Sequence, residues 1–239
     1  MNKATLLKAM AVILMMGASM NAMAGLFGLG GTSWKEEVLL HDGSKIIVQR
    51  SHTYGGSREV GQPPSIKEQD ITFTFSGSGR TITWKDAYGK EVGGSNFIPL
   101  ALHVLNGTPY IVARPNLCRS YNKWGRPNPP YVVFKHDGKE WQRIPLAELP
   151  AEFQDINLLL VYTKADEKII AGALPVTVER IRSANAEVRI PELRHILREP
   201  VKHGTDGSLV NCEELIRYKG HWIMPNDPVA RSIVDRKSK

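Results

Sequence analysis

The hydrophobic residues in the first two thirds of the chain recur with a period of two. In residues 71–76, isoleucine and phenylalanine alternate with threonine and serine, and Leu100, Leu102 and Val104 repeat the pattern. This period is typical of β-strands that bury one face. Further strand-like segments span residues 34–40, 45–50, 81–84, 110–113, 131–134 and 141–144. We therefore predict eight strands, each with one apolar face.

Turn-forming sequences join these segments in pairs. Residues 42–43 and 137–138 are Asp-Gly, residues 106–107 are Asn-Gly, and residues 76–80 contain two glycines. Asp-Gly and Asn-Gly favour hairpins because a type I′ turn needs positive φ at both central residues. Hairpins with one apolar face have to stack or close to bury it. The predicted fold is mainly β (α+β overall): an antiparallel β-sandwich or small barrel of about four hairpins, followed by a short helical or irregular C-terminal region.

The pattern changes near Pro150. Residues 150–160 and 177–188 have helical spacing, and residues 191–200 lie between prolines that mark the two ends of a short helix. Asn211 to Glu214 has the spacing of a capping box, which opens a further helix. We therefore predict a mixed helical C-terminal region.

The N-terminal residues predict export. Lys3 and Lys8 precede an apolar run at residues 10–16, and Ala22 and Ala24 fit the small-x-small rule of a cleavage site. This combination indicates a secretory signal peptide that is cleaved after Ala24, with the periplasm as the first choice of compartment. The run is too short to span a membrane, which needs roughly 20 apolar residues. A buried N-terminal helix is the alternative.

The predicted organisation has three parts. Residues 1–24 form the signal peptide, and residues 25–149 form the antiparallel β domain. Residues 150–239 have few apolar residues for a core of their own, so we expect them to pack on the β domain as an extension.

The charge excludes one class of partner. The whole chain has a net charge of +7, or +5 without the two lysines of the signal peptide. The basic residues are spread along the sequence, whereas nucleic-acid binding needs them clustered on one face. We predict no nucleic-acid partner, no membrane span and no cofactor. Binding to a nucleic acid or an anionic surface is a minor alternative, which requires one clustered basic face.

The chain has two cysteines, Cys118 and Cys212. In an oxidising compartment two cysteines usually pair, so we predict a disulfide between them. Two buried thiols, or one catalytic cysteine, are the alternatives.

The triplet His-Asp-Gly occurs at residues 41–43 and again at residues 136–138. Both copies lie between strand-like segments, so we interpret Asp and Gly as turn residues and the histidine as the end of a strand. None of the seven histidines has a partner at the spacings of local metal sites. We predict no metal site.

The most informative segment for function is residues 115–131. Its prolines stiffen a loop that contains aromatic and cationic residues, a combination that suits a protein partner or a sugar face. The predicted partner-binding residues are Arg119, Tyr121, Lys123, Trp124, Arg126 and Tyr131. The alternative is a structural loop that is tethered by Cys118 and packs Trp124 on the sheet edge. A second candidate is the segment 51–65, through His52, Tyr54 and Arg58.

These observations favour a periplasmic, non-enzymatic binding or interaction protein, with an envelope protein or glycan as its partner. An inhibitor or immunity-type protein is one form of this hypothesis. The alternative is an envelope hydrolase acting on glycan or peptide, which needs at least two catalytic groups that converge in a cleft.

Overall fold

The computed structural model of the 239-residue chain describes residues 31–57, 64–75, 79–161, 170 and 174–237. The predicted signal peptide and Arg58 lie outside the described residues. Within these ranges, no helix has the length and apolar character needed to cross a membrane.

The first four strands form one antiparallel sheet in the order β1-β2-β3-β4. They are β1 (Gly31–Leu39), β2 (Lys45–Tyr54), β3 (Ile66–Thr74) and β4 (Thr81–Asp86). The β1–β2 hairpin closes at the first His-Asp-Gly triplet. There the Asp42 carboxylate accepts a hydrogen bond from the Ser44 amide at 2.9 Å, and Gly43 has a φ of 81°. The turn interpretation of this triplet is confirmed.

The next four strands form a second antiparallel sheet in the order β5-β6-β7-β8. They are β5 (Phe97–Leu105), β6 (Thr108–Pro115), β7 (Val132–His136) and β8 (Trp141–Ile144). Asn106 and Gly107 join β5 to β6 with φ values of 50° and 73°, as a type I′ turn requires. The prediction of a mainly β fold built from four hairpins is confirmed.

The two sheets share an apolar core, as in a sandwich. From the first sheet, Val48, Phe73 and Trp84 face Phe97, Ile111 and Phe134 of the second. The Trp84 and Phe134 ring centroids lie 5.7 Å apart. The other core residues are Val38, Leu40, Ile71, Ile82, Leu102, Ala113, Val132 and Leu158.

The second sheet is buried on both faces, which the sequence analysis did not predict. Along β6, Ile111 faces the sandwich core, whereas its neighbours Tyr110 and Val112 face a second apolar cluster. This second cluster takes its opposite wall from the C-terminal part of the chain, including Phe153 and Leu193. The prediction of one apolar face per strand is therefore wrong for this sheet.

The C-terminal part is less helical than predicted. The helices outside the sheets are α1 (Leu117–Lys123), α2 (Val178–Ala186) and α3 (Pro228–Lys237). Short 3₁₀ turns span Leu146–Glu148, Pro191–Leu193 and Leu209–Asn211. A small hairpin consists of β9 (Ile216–Tyr218) and β10 (His221–Ile223). The helix predicted within residues 177–188 is confirmed as α2. The helix predicted after Asn211 is absent from the described residues there, and β9 follows instead.

Residues 150–160 contain no helix, because their polar groups pair with β5 instead. The Asn157 side chain accepts from the Leu102 amide at 2.9 Å and donates to the Leu102 carbonyl at 2.8 Å. The Leu158 amide donates to the Leu100 carbonyl at 3.1 Å. This segment thus covers the outer edge of the second sheet.

Residues 191–200 form only one 3₁₀ turn, because they too pair with a segment that is distant in sequence. The Ile196 amide donates to the Gln154 carbonyl at 2.9 Å, and His195 pairs with Asp155 in an isolated antiparallel bridge. Pairing with the distant segment replaces the local hydrogen bonds that a longer helix needs.

A buried ion pair lies inside the first sheet. Arg50 donates to the Glu36 carboxylate at 2.9 Å and to the Leu159 carbonyl at 2.7 Å, and both ionic side chains are about fully buried. The Trp34 indole also donates to Glu36, at 2.6 Å. His52 packs edge-on against Trp34 with ring centroids 4.7 Å apart. Loss of one member of such a network leaves a buried charge without its partner.

His52 makes stability depend on pH. Burial, reinforced by the nearby Arg50 charge, lowers the pKa of His52 from 6.5 to about 3. Between these values the unfolded chain takes up a proton that the folded chain does not, so acidification destabilises the fold. From pH 6.5 to 4.0 this single residue costs about 3 kcal/mol.

We predict that His52→Gln removes the part of the acid destabilisation that His52 causes. The free energy of unfolding in urea, measured at pH 6.5 and at pH 4.0, gives the loss of stability for each protein. Burial raises the pKa of Asp86, so through this residue acidification stabilises the fold. This opposite effect is the same in the wild type and in His52→Gln, and it cancels when the two are compared. The exposed His221→Gln is the matched control and should keep the wild-type difference. Equal pH dependence in wild type and His52→Gln would contradict the prediction.

Candidate functional site

The predicted partner-binding loop forms helix α1 and a turn that holds the C-terminal part of the chain. Cys118 on α1 forms a disulfide with Cys212, with their Cα atoms 5.5 Å apart. Arg126 donates to the carbonyls of Cys212 at 2.6 Å and Glu213 at 2.9 Å. The Asn122 side chain accepts from the Leu215 amide at 2.7 Å. We call this set of contacts between residues 117–126 and 212–215 the disulfide clasp.

The aromatic residues of the loop contact the protein itself. Trp124 is half-buried with its ring 4.6 Å from Phe97, and the Arg143 guanidinium lies 5.5 Å from the same indole. Tyr121 is buried beside Leu209 and Cys212.

Tyr131 is also buried and bonds to the C-terminal part. Its hydroxyl donates to the Glu192 carbonyl at 2.8 Å and lies 3.0 Å from the His195 carbonyl. Burial raises the pKa of Tyr131 well above its ordinary value, so the hydroxyl keeps its proton. Tyr131 thereby fixes residues 192–195 against the second sheet.

The two exposed members of the predicted set are Arg119 and Lys123. Lys123 donates to the Asn96 side chain at 2.9 Å and lies 3.6 Å from Glu91. The loop residues therefore do not converge on one open face, and the contacts of Tyr121, Arg126 and Tyr131 are those of a structural loop. A partner-binding role for the set stays a prediction.

The second candidate segment is also built into the fold. His52 and Tyr54 lie in β2 and face the interior, and both are buried. Arg58 lies outside the described residues. Two of the three residues of this candidate site are therefore placed, and both face away from solvent.

The histidines of the two triplets have different surroundings. His41 packs against Phe153 and His103, with ring centroids 5.0 Å and 6.2 Å away, whereas the His136 ring accepts a hydrogen bond from the Gly138 amide at 3.0 Å. Within the described residues, no three histidine, cysteine or carboxylate side chains group as metal ligands.

A groove on the C-terminal part is the best candidate site. It consists of two hollows, a larger one of about 800 Å³ and a smaller one of about 450 Å³, which share Asp155 and His195. We call it the Asp155 groove. The larger hollow is lined by Asn128, Pro129, Leu146, Ala147, Leu149, Ala151, Gln154, Asp155, His195, Ile196, Arg198 and Pro200, and the smaller by Asp155, Ile156, Arg182, Asn185, Ala186, Arg194 and His195.

The bridge between Asp155 and His195 forms the centre of the groove. The Asp155 carbonyl accepts from His103 Nε2 at 3.0 Å, and the Ile196 amide next to His195 donates to the Gln154 carbonyl at 2.9 Å, so the backbone on both sides is anchored. Both side chains are exposed, as is that of Gln154. The groove therefore presents a carboxylate, an imidazole and an amide on a fixed backbone.

The cationic residues of the groove differ in how they are used. Arg198 donates to the carbonyls of Leu149, Pro150 and Phe153 at 2.7–2.9 Å, so its guanidinium holds the wall of the larger hollow. Burial lowers the pKa of Arg198 somewhat. In the smaller hollow, Arg194 makes one long hydrogen bond of 3.3 Å to a carbonyl.

Sequence reasoning missed the Asp155 groove. Most of its walls come from residues 146–156 and 194–200, with additions from residues 128–129 and from α2. These segments are distant in sequence, and parts of them fall within the helices predicted at residues 150–160 and 191–200. The signal available was the density of polar residues in the segment Pro191 to Pro200, which has five charged or histidine side chains around Ile196.

Comparison with known proteins found no relative. No family model, no curated protein and no solved structure matches the chain. The residues of the Asp155 groove and of the disulfide clasp are therefore the basis for a functional proposal.

We predict that the disulfide clasp holds the C-terminal layer in place. The bond closes a separation of 94 residues, and a loop of that length restricts the unfolded chain by about 4 kcal/mol. The double variant Cys118→Ser/Cys212→Ser should lose about this much free energy of unfolding in urea.

A reducing agent provides the control for this prediction. Reduction should destabilise the wild type to the level of the double variant and leave the double variant unchanged. If the wild type unfolds at the same urea concentration with and without the reducing agent, the clasp does not stabilise the protein.

Proposed function

We propose that this chain is an exported, non-enzymatic binding protein of the bacterial envelope, and that it binds its partner in the Asp155 groove. The observation that carries the proposal is the groove itself. A hollow of about 800 Å³ is within the range of ligand sites, and such sites combine apolar walls with a few placed polar groups. The groove has both.

Two further observations support export. The N-terminal pattern of two lysines, an apolar run and a small-x-small end is that of a signal peptide cleaved after Ala24. The disulfide between Cys118 and Cys212 is compatible with an oxidising compartment such as the periplasm. An envelope protein or a glycan is the proposed partner, and an inhibitor or immunity-type role is one form of the proposal.

The anchoring of the groove supports binding in a second way. The Asp155 carbonyl accepts from His103, the Ile196 amide donates to the Gln154 carbonyl, and Arg198 holds the wall of the larger hollow. A site that is already ordered loses less conformational entropy when its partner binds.

The second candidate function is an envelope hydrolase. It is favoured by one observation, that Asp155 and His195 are cross-strand neighbours in the groove. A carboxylate beside an imidazole is a common arrangement for proton transfer. This function predicts that the purified protein cleaves muropeptides or envelope peptides, and that Asp155→Asn abolishes the cleavage without loss of binding.

We predict that a photo-crosslinking amino acid at Ala151, on the wall of the larger hollow, captures the partner in intact cells. The same amino acid at Ser232 on α3, exposed and outside the groove, is the matched control. The Ala151 adduct should be absent from the Ser232 protein and should be lost in a His195→Ala background. No adduct at Ala151, or the same adducts at both positions, would overturn the proposal.

A further inference from the structure

The two hollows of the Asp155 groove differ in chemistry. The larger hollow has an apolar floor, to which the buried Leu149 and Ile196 contribute. The smaller hollow has two arginines, Arg182 from α2 and Arg194 from the segment after the 3₁₀ turn. Because the hollows share Asp155 and His195, a ligand longer than one hollow crosses this bridge and meets both environments.

The arginines of the smaller hollow are available to a ligand. Arg194 uses one N–H group in its hydrogen bond to the Ala186 carbonyl, and a guanidinium has five. The Arg182 side chain is exposed, and the acidic neighbour that its charge influences is Glu179, whose pKa is lowered by hydrogen bonds first and further by this charge. Arginine pairs with carboxylates through two parallel hydrogen bonds, so two arginines in one hollow suit a carboxylate.

Asp155 limits what kind of anion fits. Asp155 lines both hollows and is exposed, so its carboxylate repels a chain that carries negative charge along its whole length, such as a nucleic acid. The ligand is therefore anionic at one end and neutral across the bridge. The Asp155 and Gln154 side chains also offer hydrogen-bond acceptors, and the Gln154 side chain offers a donor. The amide groups of a peptide can pair with these groups, whereas the hydrocarbon chain of a fatty acid cannot.

We propose that the Asp155 groove binds the C-terminal end of a peptide or protein chain. The apolar side chains of the ligand occupy the larger hollow, its amide groups meet Gln154 and Asp155, and its terminal carboxylate lies between Arg182 and Arg194. The inference rests on the proposed binding function and adds the class of ligand and its direction in the groove.

The test uses the exported, disulfide-bonded protein and an equal mixture of apolar hexapeptides made as free acids and as C-terminal amides. The immobilised protein is incubated with the mixture, and mass spectrometry measures the ratio of acids to amides that it retains. We expect about a tenfold enrichment of the acids, which corresponds to about 1.4 kcal/mol. In the double variant Arg182→Gln/Arg194→Gln the ratio of acids to amides should fall to about one, because the terminal carboxylate loses its two arginine partners.

The matched control is Arg180→Gln, an exposed arginine of α2 outside the groove, which should keep the wild-type ratio. Equal retention of acids and amides by the wild type would overturn the proposed direction and leave peptide binding intact. If the protein retains neither acids nor amides, the peptide proposal is overturned. The Ala151 crosslinking result then decides separately whether the groove binds another partner. An acid preference that survives the double variant would also overturn the role of the two arginines.

Discussion

The second β-sheet of this protein cannot have one face in water, and much of the remaining structure follows from that constraint. Along β5 and β6 most residues facing each side are apolar, so that Leu102 and Ile111 lie in the sandwich core while Leu100 and Val112 lie in the second cluster. Each fully buried aliphatic side chain contributes about 1.5–3 kcal/mol relative to exposure. The C-terminal part of the chain has to cover the second face, and it does so with long-range hydrogen bonds rather than with helices.

The candidate site is a consequence of how this cover is attached. The segments around Asp155 and His195 pair with each other, Tyr131 holds one of them to the sheet, and the Cys118–Cys212 disulfide fastens the chain further on. Segments attached at separate points leave space between them, and the Asp155 groove is that space. Of the residues predicted for binding, Tyr121, Arg126 and Tyr131 serve this attachment. Most residues that line the groove belong to the covering segments, and Asn128 and Pro129 come from the predicted loop.

The parts of the structure that sequence could predict are the local ones. The period of two and the Asp-Gly and Asn-Gly turns depend on neighbouring residues, and they predicted the four hairpins and the turn at Asp42. Helical spacing predicted α2 but was wrong for residues 150–160, because the hydrogen bonds of Asn157 to a distant strand outweighed local preference. The alternation of Leu100, Leu102 and Val104 predicted a strand at β5 but wrongly assigned it one apolar face, because burial of the second face depends on the distant covering segments. The groove depends on the pairing of residues 154–155 with 195–196, which no local pattern reports.

The most direct test of this account is to express residues 25–149 alone, with Cys118→Ser to remove the unpaired thiol, and to measure urea unfolding. The full-length Cys118→Ser/Cys212→Ser variant is the reference, because it lacks the disulfide but keeps the covering segments. The account predicts that the truncated chain shows no cooperative unfolding transition and binds a hydrophobic dye, whereas the reference unfolds cooperatively. A cooperative transition in the truncated chain, with a stability close to that of the reference, would contradict the claim that the second sheet requires its C-terminal cover.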